Sequence, residues 1–428
     1  MSTQLCDFGH LAHKPPAQAA KHLAARWLVC TTLLGFAAAG LGACRSTGGD
    51  GPVEPGTTTT GSATGSSTGA TTTAGTTTGT TGGDGGGQAA SGYRFIGRVP
   101  ADSNTLSWSG SAVELSFTGT QGDLQFTTLD GNNYIGLSID GGNITRTFVQ
   151  ASASIAFGPL AQANHVIRAT KLNEGRLGEV VFNGFSTDGQ ALLGNTTSRR
   201  IEFIGDSITA AYGIDGNAPC TNTAALEDAT QSFATLAAAA LSADASLIAV
   251  AGKGMVRNDT SDTSTTPVLM PNYWTRYIAN NANSVYSYPA EAAPQVVVIT
   301  LGTNDYEYTD GTVANTALRA PLDSSSFVSG YVSFIQAVQT RYPQAKFVLC
   351  SSPMLSDTYP TSSDQQHTSL LTNLNTIASS FSNSTVAVLD FPALTTAQAT
   401  GCGGHPNIDA HHVMASLLQA KIQQLMNW

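Results

Sequence analysis

Five short, almost wholly apolar runs constrain the fold of residues 199–428 more than any other feature. They are Ile201–Ile204, Ser246–Val250, Gln295–Leu301, Lys346–Cys350 and Val386–Leu389. Each stops at small or turn-forming residues: Gly205, Ala251-Gly252, Gly302, Ser351-Ser352 and Asp390. The runs are too short for core helices, and continuous apolarity is what a strand needs when both sheet faces are covered. Helical patterns lie between them, at about 232–241, 327–341 and 365–381, with a last one at about 411–426. Strands alternating with helices predict a parallel, doubly wound sheet of five strands. Ligands in such sheets sit at the carboxyl ends of the strands, so the stops are where chemistry is to be sought.

Residues 92–195 follow a different rule. Ala112–Phe117, Leu124–Thr127, Tyr134–Ile139, Thr147–Val149, His165–Ala169 and Gly178–Phe182 alternate apolar with polar residues. Turn residues such as Asp140-Gly141-Gly142-Asn143 separate them, and no helical period interrupts. This spacing predicts an all-β sandwich, with a jelly roll as the preferred form.

The first 91 residues do not read as a folded domain. Lys14, Lys21 and Arg26 precede an uncharged stretch, 27–43, that ends in Leu41-Gly42-Ala43-Cys44. A basic region followed by a short apolar region reads as a secretory signal over 1–43. The final four residues resemble the lipobox of bacterial lipoproteins, which implies lipidation at Cys44 and a place on the outer membrane or cell surface. The alternative is a membrane anchor, because 17 uncharged residues are near the lower limit for a span. Residues 44–91 are dominated by Gly, Thr, Ser and Ala and are read as a disordered tether. The formal net charge is -10 and only 11% of residues are charged, with no basic stripe, so nucleic-acid binding is excluded as a function class. Six cysteines in 428 residues are too few for a disulfide scaffold.

The strand ends carry four chemical groups. The first run leads into Gly205-Asp206-Ser207-Ile208-Thr209, the second into Gly252-Lys253-Gly254 and the third into Gly302-Thr303-Asn304-Asp305; Gly404-His405-Pro406 lies near the carboxyl end. Acyl transfer to water needs a nucleophile, a base and donors for an oxyanion. Ser207 supplies a hydroxyl and His405 an imidazole, while the Ser207 N–H, the Gly252 N–H and the Asn304 amide supply donors. Tyr273, Trp274 and Tyr306 lie near these loops and are candidates for stacking on sugar rings. Cys220 and Cys402 fall in loops on the same face, where a disulfide could join them, and Cys350 reads as a buried thiol. No metal site is expected, since His411 and His412 are adjacent rather than three or four apart. His165 and His367 read as structural or solvated, and no cofactor is implied.

This set resembles the SGNH (GDSL) hydrolase superfamily, with Gly205–Thr209, Gly302–Asp305 and His405-Pro406 in order and about 100 residues apart. Arg199-Arg200 followed by Glu202–Thr209, Gly252–Asn258, Met270–Trp274 and Gly401–Pro406 resemble carbohydrate esterase family 2 more closely. The resemblance covers about 92–428. It implies a jelly roll ahead of an α/β domain with a five-stranded, flavodoxin-like sheet, and removal of acetyl groups from xylan- or mannan-type polysaccharides. The partner would then be an acetylated polysaccharide or oligosaccharide, with membrane contact only through the lipid. The family often has Asp two residues before the catalytic histidine, where this chain has Gly403. That departure implies a Ser207–His405 dyad with a main-chain carbonyl holding the ring. Asp409 and His412, spaced as D-x-x-H, are the alternative pair. A glycan-binding protein of weak turnover and a lipase or thioesterase of the same superfamily are the alternative functions.

Overall fold

The structure is a computed structural model that describes residues 92–194, 196–307, 319–359, 362–382 and 385–428. The signal, the lipobox cysteine Cys44 and the tether expected over 1–91 lie outside the described residues.

Alternation in the first segment builds ten antiparallel strands. These are β1 (Tyr93–Ile96), β2 (Thr105–Leu106), β3 (Ala112–Gly119), β4 (Gly122–Gly131), β5 (Asn133–Ile139), β6 (Thr145–Val149), β7 (Ser152–Phe157), β8 (Ala163–Lys171), β9 (Gly178–Thr187) and β10 (Gln190–Leu192). One sheet runs β1-β3-β8-β5-β6 with β10 added beside β3, and a second runs β2-β9-β4-β7. Val113, Leu115 and Phe117 of the first sheet meet Leu124, Phe126, Val180 and Phe182 of the second in one buried core. The other face of β3 is buried too. There Glu114 lies opposite Arg94 and Arg168 on the neighbouring strands and ion-pairs with both.

The second segment alternates as its pattern requires. Its strands are β11 (Arg200–Gly205), β12 (Asp244–Ala249), β13 (Val296–Thr300), β14 (Lys346–Cys350) and β15 (Val386–Leu389). They pair in parallel in the order β12-β11-β13-β14-β15, the flavodoxin-like arrangement. The helices are α1 (Phe233–Ala240), α2 (Met270–Tyr273), α3 (Thr303–Tyr306), α4 (Ser324–Arg341), α5 (Gln366–Ser379) and α6 (Ile408–Met426). Side-chain caps set three of the helix starts: Ser232 accepts from Ala234 N–H, Asp323 from Ser326 N–H and Asn407 from Ala410 N–H. Apolar groups fill both faces of the sheet, Phe327, Tyr331 and Ile335 of α4 on one and Phe233, Leu418 and Ile422 on the other.

The two domains dock through charged groups as well as apolar ones. Arg94 reaches Asp244 at the start of β12 at 2.6 Å. Arg98, fully buried, pairs with Glu202 in the centre of β11 at 2.9 Å and stacks its guanidinium 4.0 Å from the Tyr286 ring centroid. Trp108 of the β-domain packs into the hydrolase core, and its indole N–H donates to Tyr277 O at 2.7 Å. A buried charge is tolerated only when paired and hydrogen-bonded, and Glu202 satisfies both conditions by also accepting from Trp274 Nε1 at 2.7 Å.

Candidate active site

Strand β11 ends at Gly205, and the chain turns at once through Asp206 and Ser207. A Cβ at position 205 would lie 2.0 Å from Thr209 Oγ1, so the turn admits only glycine there. Asp206 is fully buried and accepts from Ile208 N–H at 3.0 Å, which closes the turn; burial pushes its carboxyl up to about 7. Ser207 Oγ then lies 2.8 Å from His405 Nε2. The other ring nitrogen, Nδ1, is 2.8 Å from Cys402 O. A carbonyl only accepts, so the proton resides on Nδ1 and Nε2 is left to accept from the Ser207 hydroxyl. Among the described residues no carboxylate meets either nitrogen. Burial, opposed by the Cys402 carbonyl and reinforced by the nearby Arg176 charge, lowers the His405 pKa to about 4. The imidazole is therefore neutral, and able to accept a proton, at neutral pH.

The candidate donors follow the carboxyl ends of three adjacent strands, β11, β12 and β13. Gly252 follows β12 with φ at +78°, and a Cβ there would lie 2.3 Å from Asp259 Oδ2. Its backbone therefore approaches the cleft as only glycine can. Asn304, at the start of α3, spends one amide hydrogen on Lys253 O at 2.9 Å and has a second left. The Ser207 and Gly252 N–H groups donate to no protein acceptor among the described residues. Asp305, beside Asn304, fixes the second loop: its carboxylate accepts from the N–H groups of Met255, Val256 and Arg257 at 2.9, 2.7 and 3.1 Å.

Cys220 and Cys402 form a disulfide, with Cα atoms 4.9 Å apart. It anchors the residue whose carbonyl holds His405. Gly213 lies against it with φ at +61°, where a Cβ would meet Cys402 Cβ at 2.6 Å. Cys350 is a buried free thiol in β14.

The alternative pair does not reach the site. Asp409 and His412 lie exposed on α6, and the intervening His411 is buried, accepting from Phe233 N–H through Nδ1 at 3.0 Å. Two of the three aromatic candidates are corrected as well. Trp274 is 4% exposed, its N–H committed to Glu202 and its ring edge-on to Phe334 and Tyr342. Tyr306 is 6% exposed, and its hydroxyl bonds Asn373 and Ser369 in the core. Both turn inward because buried polar partners take their polar atoms. Tyr273 does line a cleft of about 360 Å³ beside Gly252 and Lys253. That cleft is also lined by Arg176, Asp259 and Asn280, which sequence reasoning missed. Arg176 belongs to the β-domain, so no strand-end motif pointed to it. His165 and His367 are occupied away from the site, with Asp140 and Asp390 respectively.

The fold and these loops define a GDSL-type hydrolase: residues 201–418, half of the chain, match the GDSL-like lipase/acylhydrolase family, and the chain belongs to it. Residues 95–195 match the carbohydrate esterase 2 N-terminal domain. Together they make the chain a member of carbohydrate esterase family 2. A solved carbohydrate esterase family 2 enzyme with a carbohydrate binding domain from Corynascus thermopiles (Myceliophthora fergusii) is 37% identical. It superposes with a TM-score of 0.72 over 78% of this chain and 100% of that one. Cellulase/esterase CelE of Acetivibrio thermocellus is 32% identical over 75% of this chain, which spans only 38% of that relative's length. An acetylxylan esterase / glucomannan deacetylase of Cellvibrio japonicus is 28% identical over 75% of this chain and 86% of its own length.

Proposed function

We propose that this chain is a carbohydrate O-acetyl esterase acting on xylan- or glucomannan-type polysaccharides through a Ser207–His405 dyad. The observation that carries the reading is the chain of contacts from Cys402 O through His405 to Ser207 Oγ, both links at 2.8 Å. Ser207 Oγ attacks the acetyl carbonyl carbon while Nε2 takes its proton. The oxyanion forms among the Ser207 and Gly252 N–H groups and the Asn304 amide. His405 returns the proton to the sugar oxygen as the C–O bond breaks, leaving acetyl-Ser207. Water then attacks this ester, Nε2 again takes a proton, and acetate departs as that proton returns to Ser207 Oγ. The Cys402 carbonyl fixes the imidazole tautomer but stabilises the imidazolium less than a full carboxylate charge does. Similarity to the acetylxylan esterase / glucomannan deacetylase supports the substrate class.

The test is acetate release from acetylated xylan and acetylated glucomannan. Ser207→Ala should lower kcat by about 10⁴-fold or more, because nucleophile and base act as one unit. A variant keeping a tenth of the wild-type rate would remove Ser207 from the role, and a wild-type protein that binds glycan without releasing acetate would favour the binding reading.

Export and lipid tethering at Cys44 complete the proposal and rest on the sequence alone. Among the described residues no helix is long and apolar enough to cross a membrane. The full-length protein should partition into detergent and carry a lipid-modified Cys44, and Cys44→Ser should release it. Equal partitioning of both forms would contradict the tether.

A further inference from the structure

The loop between β8 and β9 carries two charged residues of the β-domain to the oxyanion side of the site. Glu174 is 1% exposed. One carboxylate oxygen, Oε2, accepts from Ala251 N–H at 2.9 Å, one residue before the oxyanion donor Gly252. The other oxygen, Oε1, accepts from Arg176 Nε. The Glu174 N–H is itself anchored, donating at 2.8 Å to Oε2 of the buried Glu227. Asn280 closes the loop by donating to Gly175 O at 2.7 Å.

Arg176 therefore has little freedom at its base. Its guanidinium is 5.5 Å from the Tyr212 ring centroid, and that ring also packs against His405, with ring centroids 4.4 Å apart. The Arg176 side chain is 36% exposed and borders the cleft that Tyr273 and Gly252 also line. Neither terminal nitrogen donates to a protein acceptor within hydrogen-bond distance among the described residues, and Glu227 Oε1 lies 3.8 Å from Nη2. A clamped donor fork with unspent N–H groups, its charge balanced by Glu174, suits the oxygens of an uncharged sugar rather than an anion.

We propose that Glu174 is a positioning residue for the Gly252 oxyanion donor, and that Arg176, held by it, is a specificity-determining residue that hydrogen-bonds sugar oxygens of the acetylated substrate. The β-domain is then part of the deacetylation site. The Arg176 half rests on the carbohydrate esterase reading; the Glu174 half requires only ester hydrolysis at Ser207.

The experiment measures kcat and KM of the full chain on p-nitrophenyl acetate and on an acetylated xylo-oligosaccharide, with the melting temperature of each variant. Glu174→Ala should lower kcat about tenfold or more on both esters, because a displaced donor loop costs turnover rather than affinity. Glu174→Gln keeps an acceptor for Ala251 N–H and should recover most of that loss. Arg176→Ala should raise KM for the oligosaccharide about tenfold more than for p-nitrophenyl acetate. Glu174→Ala with kcat within twofold of wild type on both esters overturns the positioning role. If Glu174→Ala does not fold, Glu174→Gln decides, and a tenfold loss of its kcat at unchanged melting temperature overturns it equally. Arg176→Ala moving both KM values alike, or neither, overturns the specificity role. Wild-type protein that hydrolyses p-nitrophenyl acetate but no acetylated glycan defeats the carbohydrate reading and the Arg176 role with it, and leaves Glu174 still decided by the first substrate.

Discussion

The oxyanion side and the base side of this site are built to different standards. On the oxyanion side, Asp305 holds three successive N–H groups of the loop after Gly252, and Glu174 holds Ala251 just before it. Asn304 is fixed by Lys253 O. On the base side, His405 hydrogen-bonds only one neutral carbonyl and the Ser207 hydroxyl among the described residues. Preorganised donors act where charge develops in the transition state and need no rearrangement as it forms. A base without a carboxylate loses stabilisation of its own positive charge. On the proposed reading, the centre leans on oxyanion stabilisation, and the Cys220–Cys402 disulfide anchors the residue that holds its histidine.

If that contrast is right, removing an oxyanion donor should cost more than loosening the loop that holds His405. Asn304→Ala removes a donor and should lower kcat by about 10²–10³ with KM little changed. A change confined to KM would make Asn304 a binding residue and break the contrast. Cys220→Ser frees the loop that carries Cys402 O, and should lower kcat by about tenfold through misorientation of His405. Turnover equal to wild type would show that the backbone alone holds the ring.

The smallest effect is a displacement along the pH axis. His405 works as a base only when neutral, and burial lowers its pKa to about 4. Above that value the imidazole is free to take the Ser207 proton; below it the imidazole is protonated and activity falls. The kcat/KM profile of the free enzyme should therefore hold its plateau down to about pH 5 and reach half at about pH 4. A half-point near 6.5, the ordinary histidine value, would mean that the ring is better solvated or better paired than its contacts indicate.

Much of this was legible in the residues. Continuous apolar runs stopped by small or turn-forming residues marked all five parallel strands, and the strand-end rule led to Ser207, Gly252 and Asn304 as candidates. His405 followed from its block and not from periodicity. Other features were illegible for physical reasons. Trp274 and Tyr306 sit beside motif residues, but side-chain direction depended on Glu202, Ser369 and Asn373, which are distant in sequence. Strands β2 and β10 are two and three residues long and exist through pairing with β9 and β3, which no local pattern announces. Glu174 and Arg176 stand in a loop whose meaning comes from the other domain.

The central claim is that His405, held by a carbonyl alone, is the base of this centre. It is tested most directly by comparing kcat for acetate release across His405→Ala, Asp409→Ala and His412→Ala. The account predicts that His405→Ala abolishes turnover while the other two stay near wild type, since Asp409 and His412 lie exposed on α6. A fall of about 10⁴-fold in Asp409→Ala, matched by His412→Ala, would contradict it and move the catalytic pair to those residues.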